Sequence, residues 1–560
     1  MTRVKRAAFL LLFSVLFFVA AGCHRAAPAP PDAAVVLTPV AAPQGRVADV
    51  VVSTPDATWS KLQRGIGGPL GLLPGSFGGL VCALTGIDLA RSGEMDGASP
   101  AFVVIALDGT TFTFASAVKL KDARHTRDVL ADAEDARFTP RSSGAITVLD
   151  PKGGATLPLS IGLVEGGYLL FARDEASLTR LGPYAYRTLP THALPDSAFY
   201  LEAPHDALAG PLHETAARSW GQLRDAALRN DDDQRAQHGG RAPDYGDPRA
   251  IVQAFDTPMQ HLFAFMADLD VARLAIKVLA DDLEAVITVV PSAGGGPSGA
   301  VLAALATGDA APLGTLPKDT VVGLISRDDV THRQDDAKKL TAGVAGGFGD
   351  RLPPGDRKKL EAAMNDWANV RGDWLVAGLV WGAEPSLVGR TRTADVALAK
   401  KTMREIVELT GLPAIQEPLQ AQLGIGKGGF ALGSDGAGFD VAAFVRESRG
   451  PKGVVPRPNL TVLWHADGDE LELATGNTSE GAKTLVSDRR LGEDALVMNE
   501  IKAIEGNATF ALLARPFILA SPPDGSPVSV AWGRKGADGW GRVHFSYLLA
   551  RAALKRLSGF

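Results

Sequence analysis

The sequence predicts an α+β protein built of two tandem modules, each an antiparallel sheet of hairpins covered by helices. Three observations support this prediction. Short β-like runs are joined by Gly-containing turns, an amphipathic helix follows a hairpin in each half, and the same order of elements occurs twice along the 560 residues. Hairpins with short connections favour antiparallel pairing, and a sheet with one apolar face needs helices to cover that face.

The first segment has the three parts of an export signal. Arg3, Lys5 and Arg6 give a positive start, and an apolar run follows that ends in small residues before Cys23. This run is too short to cross a bilayer, which takes about 20 apolar residues. Residues 1–22 are therefore predicted to be a cleavable signal peptide.

The residues around the cleavage point resemble the processing box of bacterial prolipoproteins. Val19-Ala20-Ala21-Gly22-Cys23 matches that box, except that Ala20 stands where Leu is commoner. The resemblance implies that Cys23 is lipid-modified, becomes the N-terminus and anchors the chain to a membrane. His24 replaces the Asp that retains such proteins at the inner membrane, which favours the outer membrane. The alternative is an ordinary secretory signal in which the Cys is accidental.

Residues 23–46 are rich in Ala and Pro and have neither a helical nor a strand period. This composition predicts an extended tether between the anchor and the folded body.

Beyond the tether, two modules are predicted at residues 47–313 and 314–560. The helix is clearest in the second module, where Asp395 caps an apolar stripe that continues to Thr410, and Asp122 begins its counterpart in the first. The alternative is that any α+β chain would yield such matches. The matching segments are 48–56 with 317–325, 102–109 with 374–382, 111–119 with 386–391, 168–172 with 470–474, 197–204 with 507–516, and 271–290 with 528–547.

This pattern resembles an uncharacterised family of exported bacterial proteins with paired α/β modules, and the resemblance implies no function. One insertion interrupts the symmetry. Residues 216–249 are strongly polar and are predicted to form a surface loop within the first module. The triplet Asp231-Asp232-Asp233 lacks the alternating oxygens, the Gly and the closing Glu of an EF-hand, so a calcium site is not predicted.

The net charge of the chain disfavours negatively charged partners. The formal charge is −6, and removal of residues 1–22, which carry three positive charges and no negative ones, leaves −9. A mildly acidic chain is a poor candidate for binding nucleic acid or anionic lipid headgroups, because both favour basic patches. If Cys23 carries lipid, Cys82 has no partner for a disulfide, and its apolar neighbours predict a buried, unreactive thiol.

No catalytic, cofactor-binding or metal-binding residues are predicted. The glycine run from Gly424 to Gly429 has dinucleotide spacing but leads into a hairpin pattern, so we expect a structural turn. His213-Glu214 begins like a zinc-protease helix, but Ala217 stands in place of the second His. Ser298 lacks the flanking residues of a hydrolase nucleophile.

The sequence therefore predicts a non-catalytic envelope protein that binds or scaffolds. Its predicted partners are the membrane, through the lipid on Cys23, and either envelope proteins or a hydrophobic ligand. Two alternatives remain, a carrier for a lipid held between sheet and helices and an enzyme of unrecognised type. The strand aromatics are expected to fill the core rather than line a pocket. They are Phe102, Phe112, Phe114, Trp374, Trp381, Trp532 and Phe545.

Overall fold

The structure is a computed structural model that describes residues 37–154, 156–237, 248–329, 333–348, 351–381, 385–423, 425–435, 438–450, 453–504, 506–515, 527–549 and 551. The predicted signal peptide and Cys23 lie outside the described residues.

The fold is α+β, as predicted, and the strand pairs within each half are antiparallel. The strands, in chain order, are β1 Arg46–Val52, β2 Ala101–Asp108, β3 Thr111–Lys119, β4 Phe138–Ser143, β5 Ile146–Pro151, β6 Ser160–Val164, β7 Tyr168–Ala172, β8 Phe199–Pro204, β9 Leu269–Val278, β10 Asp282–Pro291, β11 Thr320–Arg327, β12 Arg371–Val380, β13 Ser386–Thr393, β14 Ile425–Ser434, β15 Asp440–Gly450, β16 Gly453–Asp467, β17 Glu470–Gly476, β18 Ala508–Ala514, β19 Val528–Lys535 and β20 Asp538–Ser546.

The helices complete the element order. They are α1 Pro55–Ile66, α2 Phe77–Thr85, α3 Ala123–Arg127, α4 Glu175–Arg187, α5 His205–Ala207, α6 His213–Gln237, α7 Pro248–Ala267, α8 Pro297–Ala303, α9 Arg333–Phe348, α10 Pro354–Val370, α11 Val396–Leu409, α12 Pro413–Leu423, α13 Ser479–Ser487 and α14 Ala495–Ala503.

Strand order is the same for the first and the second ten strands. The first ten pair in the order β4-β5-β6-β7-β3-β2-β1-β8-β9-β10. The second ten pair in the order β14-β15-β16-β17-β13-β12-β11-β18-β19-β20. Unrelated proteins can share a strand order, so the homology of the two halves stays a prediction.

The compact units of the chain are discontinuous, unlike the two continuous modules that the sequence predicts. Among the described residues, the first unit comprises those from 37 to 215, from 266 to 293 and from 544 to 551, and the second comprises those within 216–265 and 294–543. The polar segment that begins at residue 216 thus belongs to the second unit.

In the first unit, α4 covers the sheet. Its N-terminus is capped by Asp174, whose carboxylate accepts a hydrogen bond from the Ser177 amide at 2.7 Å. The apolar stripe of α4 includes Leu178 and Leu181, which are 0% exposed and pack in one core cluster with Leu170 of β7. A stripe at three- and four-residue spacing is what places these side chains on the sheet.

In the second unit, the core lies between the sheet and α13 and α14. Val376 of β12, Leu463 of β16 and Ala474 of β17 are all 0% exposed and form one cluster. The helix predicted in the second module is α11, which follows the β12–β13 hairpin. Asp395 accepts a hydrogen bond from the Leu398 amide at 2.9 Å, as predicted for the N-cap of this helix. The space between sheet and helices is filled by core side chains here.

The predicted tether over residues 23–46 is too long at its C-terminal end. Thr188 fixes Val40, accepting from its amide and donating to its carbonyl, both at 2.9 Å. Arg187 donates to the Thr38 carbonyl at 2.8 Å, and Leu37 packs against the core of the first unit. The aliphatic residues after the Pro-rich stretch bind the folded body, because burying them is favourable. Residues 23–36 of the predicted tether lie outside the described residues.

The predicted loop over residues 216–249 is wrong for most of its length. Residues up to Gln237 form α6, and α7 begins at Pro248. Polarity alone suggested a loop, but α6 is rich in Ala, Arg, Leu and Gln, which favour the helix without an apolar stripe. An ion pair between Asp231 and Arg235, at 2.7 Å and i,i+4 spacing, adds to it.

Candidate functional site

Helix α7 exposes large apolar side chains to solvent. Phe255 is 56% exposed and Leu262 is 53% exposed, and Met259 is partly buried between them. These three residues recur at spacings of three, four and seven, so they share one side of the helix. We call them the apolar face of α7. Single exposed apolar residues are ordinary on protein surfaces, but a contiguous set indicates an interaction site.

Helices α6 and α7 are joined by polar contacts. The Trp220 indole donates to Asp256 Oδ1 at 3.0 Å, and Arg249 Nε donates to Asp231 Oδ2 at 3.0 Å. Together these contacts fix the two helices side by side near the start of α7. They leave the apolar face of α7 uncovered.

Asp231 is the most enclosed of these polar groups, at 0% exposed. Burial alone would raise the pKa of its carboxyl, but hydrogen bonds from Arg235 and Arg249 outweigh burial and hold the pKa below its ordinary value. The two guanidinium groups cover Asp231 locally, so the carboxylate stays charged. It serves as a fixed link between the helices.

A groove of about 500 Å³, open to solvent, lies between the two helices. This is within the usual size range of small-ligand sites, about 300–1,000 Å³. We call it the helix-pair cavity. Its lining combines charges of both signs with two aliphatic side chains: Arg224, Asp225, Leu228, Asp232, Arg249, Val252, Gln253 and Asp256.

A second concentration of charge lies inside the second unit. Glu472 of β17 and Arg390 of β13 are 2% and 1% exposed and form an ion pair across the sheet. Arg489 also pairs with Glu472, and Arg390 Nη2 donates to the Val486 carbonyl at 2.6 Å. His465 Nδ1 lies 3.5 Å from Glu472 Oε2. Both carboxylate oxygens therefore face cations or an imidazole.

Burial lowers the pKa of His465, although Glu472 and Asp467 oppose this effect. The side chain of His465 is 19% exposed, and its ring lies against Phe439 with centroids 4.1 Å apart. A neutral histidine packed on an aromatic ring, beside a carboxylate that is already paired, fits a structural network better than an acid–base site.

A third cluster is also internal. Arg542 donates to Glu500 Oε2 at 2.9 Å and to Ser529 Oγ at 2.8 Å, and the Ser529 hydroxyl donates to Glu500 Oε2 at 2.7 Å. Ser529 is 0% exposed, so a substrate cannot reach its hydroxyl without rearrangement. Among the described residues no group of His, Cys, Asp and Glu is arranged to hold a metal ion.

The residues considered from sequence are placed as follows. Cys82 is 0% exposed, and burial raises the pKa of its thiol to about 12, as expected for an unreactive cysteine. The glycine run after residue 424 opens β14 and is preceded by α12, which reverses the strand-then-helix order of a dinucleotide loop. Ser298 is 0% exposed at the start of α8.

The strand aromatics divide into two groups. Phe102 and Trp374 are buried in core clusters, as expected, and Phe114 and Phe545 are partly buried against the core of the first unit. Phe112, Trp381 and Trp532 are 38%, 47% and 44% exposed, and core filling does not account for them. Trp532 stacks on Phe510 with ring centroids 4.1 Å apart.

Sequence analysis missed the apolar face of α7. The signal was present, because Phe255, Met259 and Leu262 have helical spacing after Pro248, a residue favoured at the first helical position. The polar segment before it predicts a loop, and a loop has no helical face. None of the described helices is long and apolar enough to cross a membrane.

No protein-family model and no curated protein matches this chain. Two crystal forms of TP0453 align with it at 9% and 8% identity. They cover 44% of this chain and 98% and 97% of the TP0453 chains, each with a TM-score of 0.19. A TM-score of this size carries no implication for fold or function.

Proposed function

We propose that this chain is a lipid-anchored protein of the cell envelope, at the outer rather than the inner membrane, with a non-catalytic binding role in which the apolar face of α7 contacts lipid. The observation that carries the proposal is the exposure of Phe255 and Leu262, each more than half open to solvent. An anchored chain stays close to a bilayer, and an apolar helix face gains free energy by entering its interface.

The size of the expected effect follows from the exposed area. Full burial of a Leu or Phe side chain contributes about 1.5–3 kcal/mol, so burying the exposed half of each contributes about 1 kcal/mol. The two side chains together therefore contribute about 2 kcal/mol, which corresponds to roughly thirtyfold in binding.

Lipidation is tested by feeding cells a labelled fatty acid. We expect label in the wild-type chain and none in Cys23→Ser, because the acyl chains need the Cys23 thiol and the new N-terminus. Cys82→Ser is the matched control and should keep its label, since Cys82 is buried. Label that persists in Cys23→Ser would contradict the anchor.

Lipid contact is tested with the unacylated mature chain, residues 23–560 carrying Cys23→Ser. Its binding to phospholipid vesicles, measured by flotation, should be roughly thirtyfold weaker when it also carries Phe255→Ser/Leu262→Ser. The matched control is Leu194→Ser/Leu340→Ser, which removes two leucines that are 55% and 59% exposed elsewhere. Equal binding by the two double variants would contradict the role of α7.

The exposed Phe510–Trp532 stack favours a second candidate, a carrier for a hydrophobic ligand. Aromatic side chains on an open sheet can line an apolar site. Native mass spectrometry of the unacylated mature chain, purified without detergent, should then show a bound lipid that Trp532→Ala loses. A ligand-free mass would contradict the carrier function and leave the anchored binding role.

A further inference from the structure

The geometry points to the helix-pair cavity as a binding site for a phospholipid headgroup that carries both a phosphate and a primary ammonium, as in phosphatidylethanolamine. This inference rests on the proposed lipid contact of α7 and specifies the lipid. It is carried by the charges that line the cavity and by their position next to the apolar face of α7.

The cavity offers a cation that is only loosely paired. Arg224 Nε lies 3.4 Å from Asp225 Oδ1, and Arg224 Nη1 lies 4.0 Å from Asp256 Oδ1. Strong charge-assisted hydrogen bonds are shorter, about 2.7–2.9 Å. The Arg224 guanidinium therefore keeps donors that can bind a phosphate in the two-pronged way typical of arginine.

The cavity also offers carboxylates that a cation can reach. The side chains of Asp225 and Asp232 are 52% and 61% exposed, and both line the same space as Arg224. Asp232 Oδ1 also accepts from Arg249 Nη2, so an ammonium at Asp232 would share this carboxylate with the guanidinium. Asp256 is already held by the Trp220 indole. A primary ammonium has three N–H donors, so it can bind Asp225 or Asp232 while the phosphate of the same headgroup binds Arg224.

The overall charge of the helix pair disfavours a purely anionic lipid. The described parts of α6 and α7 contain five arginines and six carboxylates. Helices that bind anionic membranes carry an excess of Lys and Arg. A near-neutral pair with both signs in its cavity instead matches a zwitterionic headgroup.

Lipid tails would have a surface next to this headgroup site. Val252 lines the cavity, and Phe255 lies three positions further along α7 on the apolar face. Residues three apart are neighbours on a helix surface, so the cavity wall and the apolar face adjoin. Leu228 and Val252 give the cavity an aliphatic wall suited to the glycerol end of the headgroup.

The test compares vesicles of phosphatidylglycerol alone with vesicles of equal parts phosphatidylglycerol and phosphatidylethanolamine, using the unacylated mature chain. We expect binding to be roughly tenfold tighter with phosphatidylethanolamine, as one set of charge-assisted hydrogen bonds would provide. Arg224→Ala and the double variant Asp225→Asn/Asp232→Asn should each abolish most of this preference. Matched controls are Arg229→Ala and Asp233→Asn, exposed residues of α6 outside the cavity lining, which should retain it.

A soluble probe separates loss of the site from loss of folding. Phosphorylethanolamine should shift amide resonances of α6 and α7 in the wild-type chain and fail to do so in Arg224→Ala, whose circular dichroism should be unchanged. Equal binding to both vesicle types, with Phe255→Ser/Leu262→Ser still impaired, would overturn the headgroup inference alone. Loss of any effect of Phe255→Ser/Leu262→Ser would overturn the proposed lipid contact itself.

Discussion

Glu472 holds a negative charge where the second unit excludes water. It is 2% exposed and accepts from both Arg390 and Arg489. In the first unit, the strands that correspond in pairing order place Ala115 opposite Ala172, and both are 0% exposed. The same strand arrangement thus accommodates an apolar row, so the ion pair of the second unit is not a requirement of the topology.

We therefore expect Glu472→Gln to lower the free energy of unfolding by about 3 kcal/mol, because it leaves Arg390 buried without its counter-ion. The double variant Arg390→Met/Glu472→Leu should lower the free energy of unfolding much less, since it removes both charges. Denaturant unfolding measures both. As a control, Asp469→Asn changes a 76% exposed partner of Arg392 and should cost less than about 0.5 kcal/mol. A double variant as unstable as the single one would contradict this account.

His465 makes stability depend on pH. Burial lowers the pKa of the folded imidazole, against the opposing effects of Glu472 and Asp467 and with the help of Lys400 and Arg390. The unfolded chain then binds the proton more readily than the folded one. The stabilisation is complete above the unfolded pKa of about 6.5 and is lost as pH falls towards the folded pKa.

The unfolding temperature should accordingly fall between about pH 7.5 and pH 5.5, and it should fall less in His465→Asn. Scanning calorimetry at several pH values measures the difference. The control is His261→Asn, which changes an exposed histidine of α7 and should keep the wild-type slope. If the slope were the same in His465→Asn, another group would have to account for it.

At the scale of elements, sequence pattern predicted most strands but not every helix. The helix at Val396–Leu409 has both signals, an Asp cap and an apolar stripe, and it was predicted from them. Helix α6 has neither signal, with only Asp231 buried on it. Besides its helix-favouring residues and the Asp231–Arg235 pair, side-chain pairs across to α7, such as Arg249 with Asp231, stabilise it, and these pairs depend on tertiary neighbours.

The candidate site was harder to predict than the fold for the same reason. Arg224 and Asp232 line one cavity only because α7 brings Arg249 and Val252 opposite them. No local spacing encodes that meeting of two helices. By contrast, the burial of Cys82 followed from its apolar neighbours alone.

Within the first unit, Gly65 of α1 allows a close contact that a larger residue would not. A Cβ at this position would lie 2.3 Å from Cε2 of Tyr547, whose hydroxyl donates to the Leu279 carbonyl at 3.2 Å. Arg551 donates to the Gly65 carbonyl at 2.7 Å. The C-terminal segment therefore depends on the absence of a side chain at residue 65.

Gly65→Ala should lower the free energy of unfolding by about 2 kcal/mol, since the Tyr547 ring must move from its packed position. Denaturant unfolding gives the value. Gly71→Ala is the matched control, because its Cβ meets nothing within 4 Å, and it should be neutral or slightly stabilising. A Gly65→Ala variant as stable as the control would mean that the ring moves at no cost.

At the scale of the whole molecule, the α6–α7 pair is an insertion between two paired strands. The corresponding strand pair among the second ten strands is joined by a much shorter segment. Strands β8 and β9 are separated by residues 205–268, whereas β18 and β19, paired in the same way, are separated only by residues 515–527. His205 Nδ1 lies 2.7 Å from the Leu269 carbonyl, so the chain leaves and re-enters the sheet at neighbouring points. A short connection can therefore span this gap.

Replacing residues 214–265 with a short Gly-Ser linker should leave the β8–β9 pair intact and weaken vesicle binding by the unacylated mature chain at least roughly thirtyfold. The reason is that the deletion removes the apolar face of α7 and the helix-pair cavity together, while the strands on either side keep their partners. Circular dichroism should show a loss of helix with the strand signal retained, and flotation should fall to the level of Phe255→Ser/Leu262→Ser or below. The chain carrying Leu194→Ser/Leu340→Ser, which keeps both helices, should float like wild type. A folded deletion variant that still bound vesicles would place the lipid contact elsewhere on the molecule.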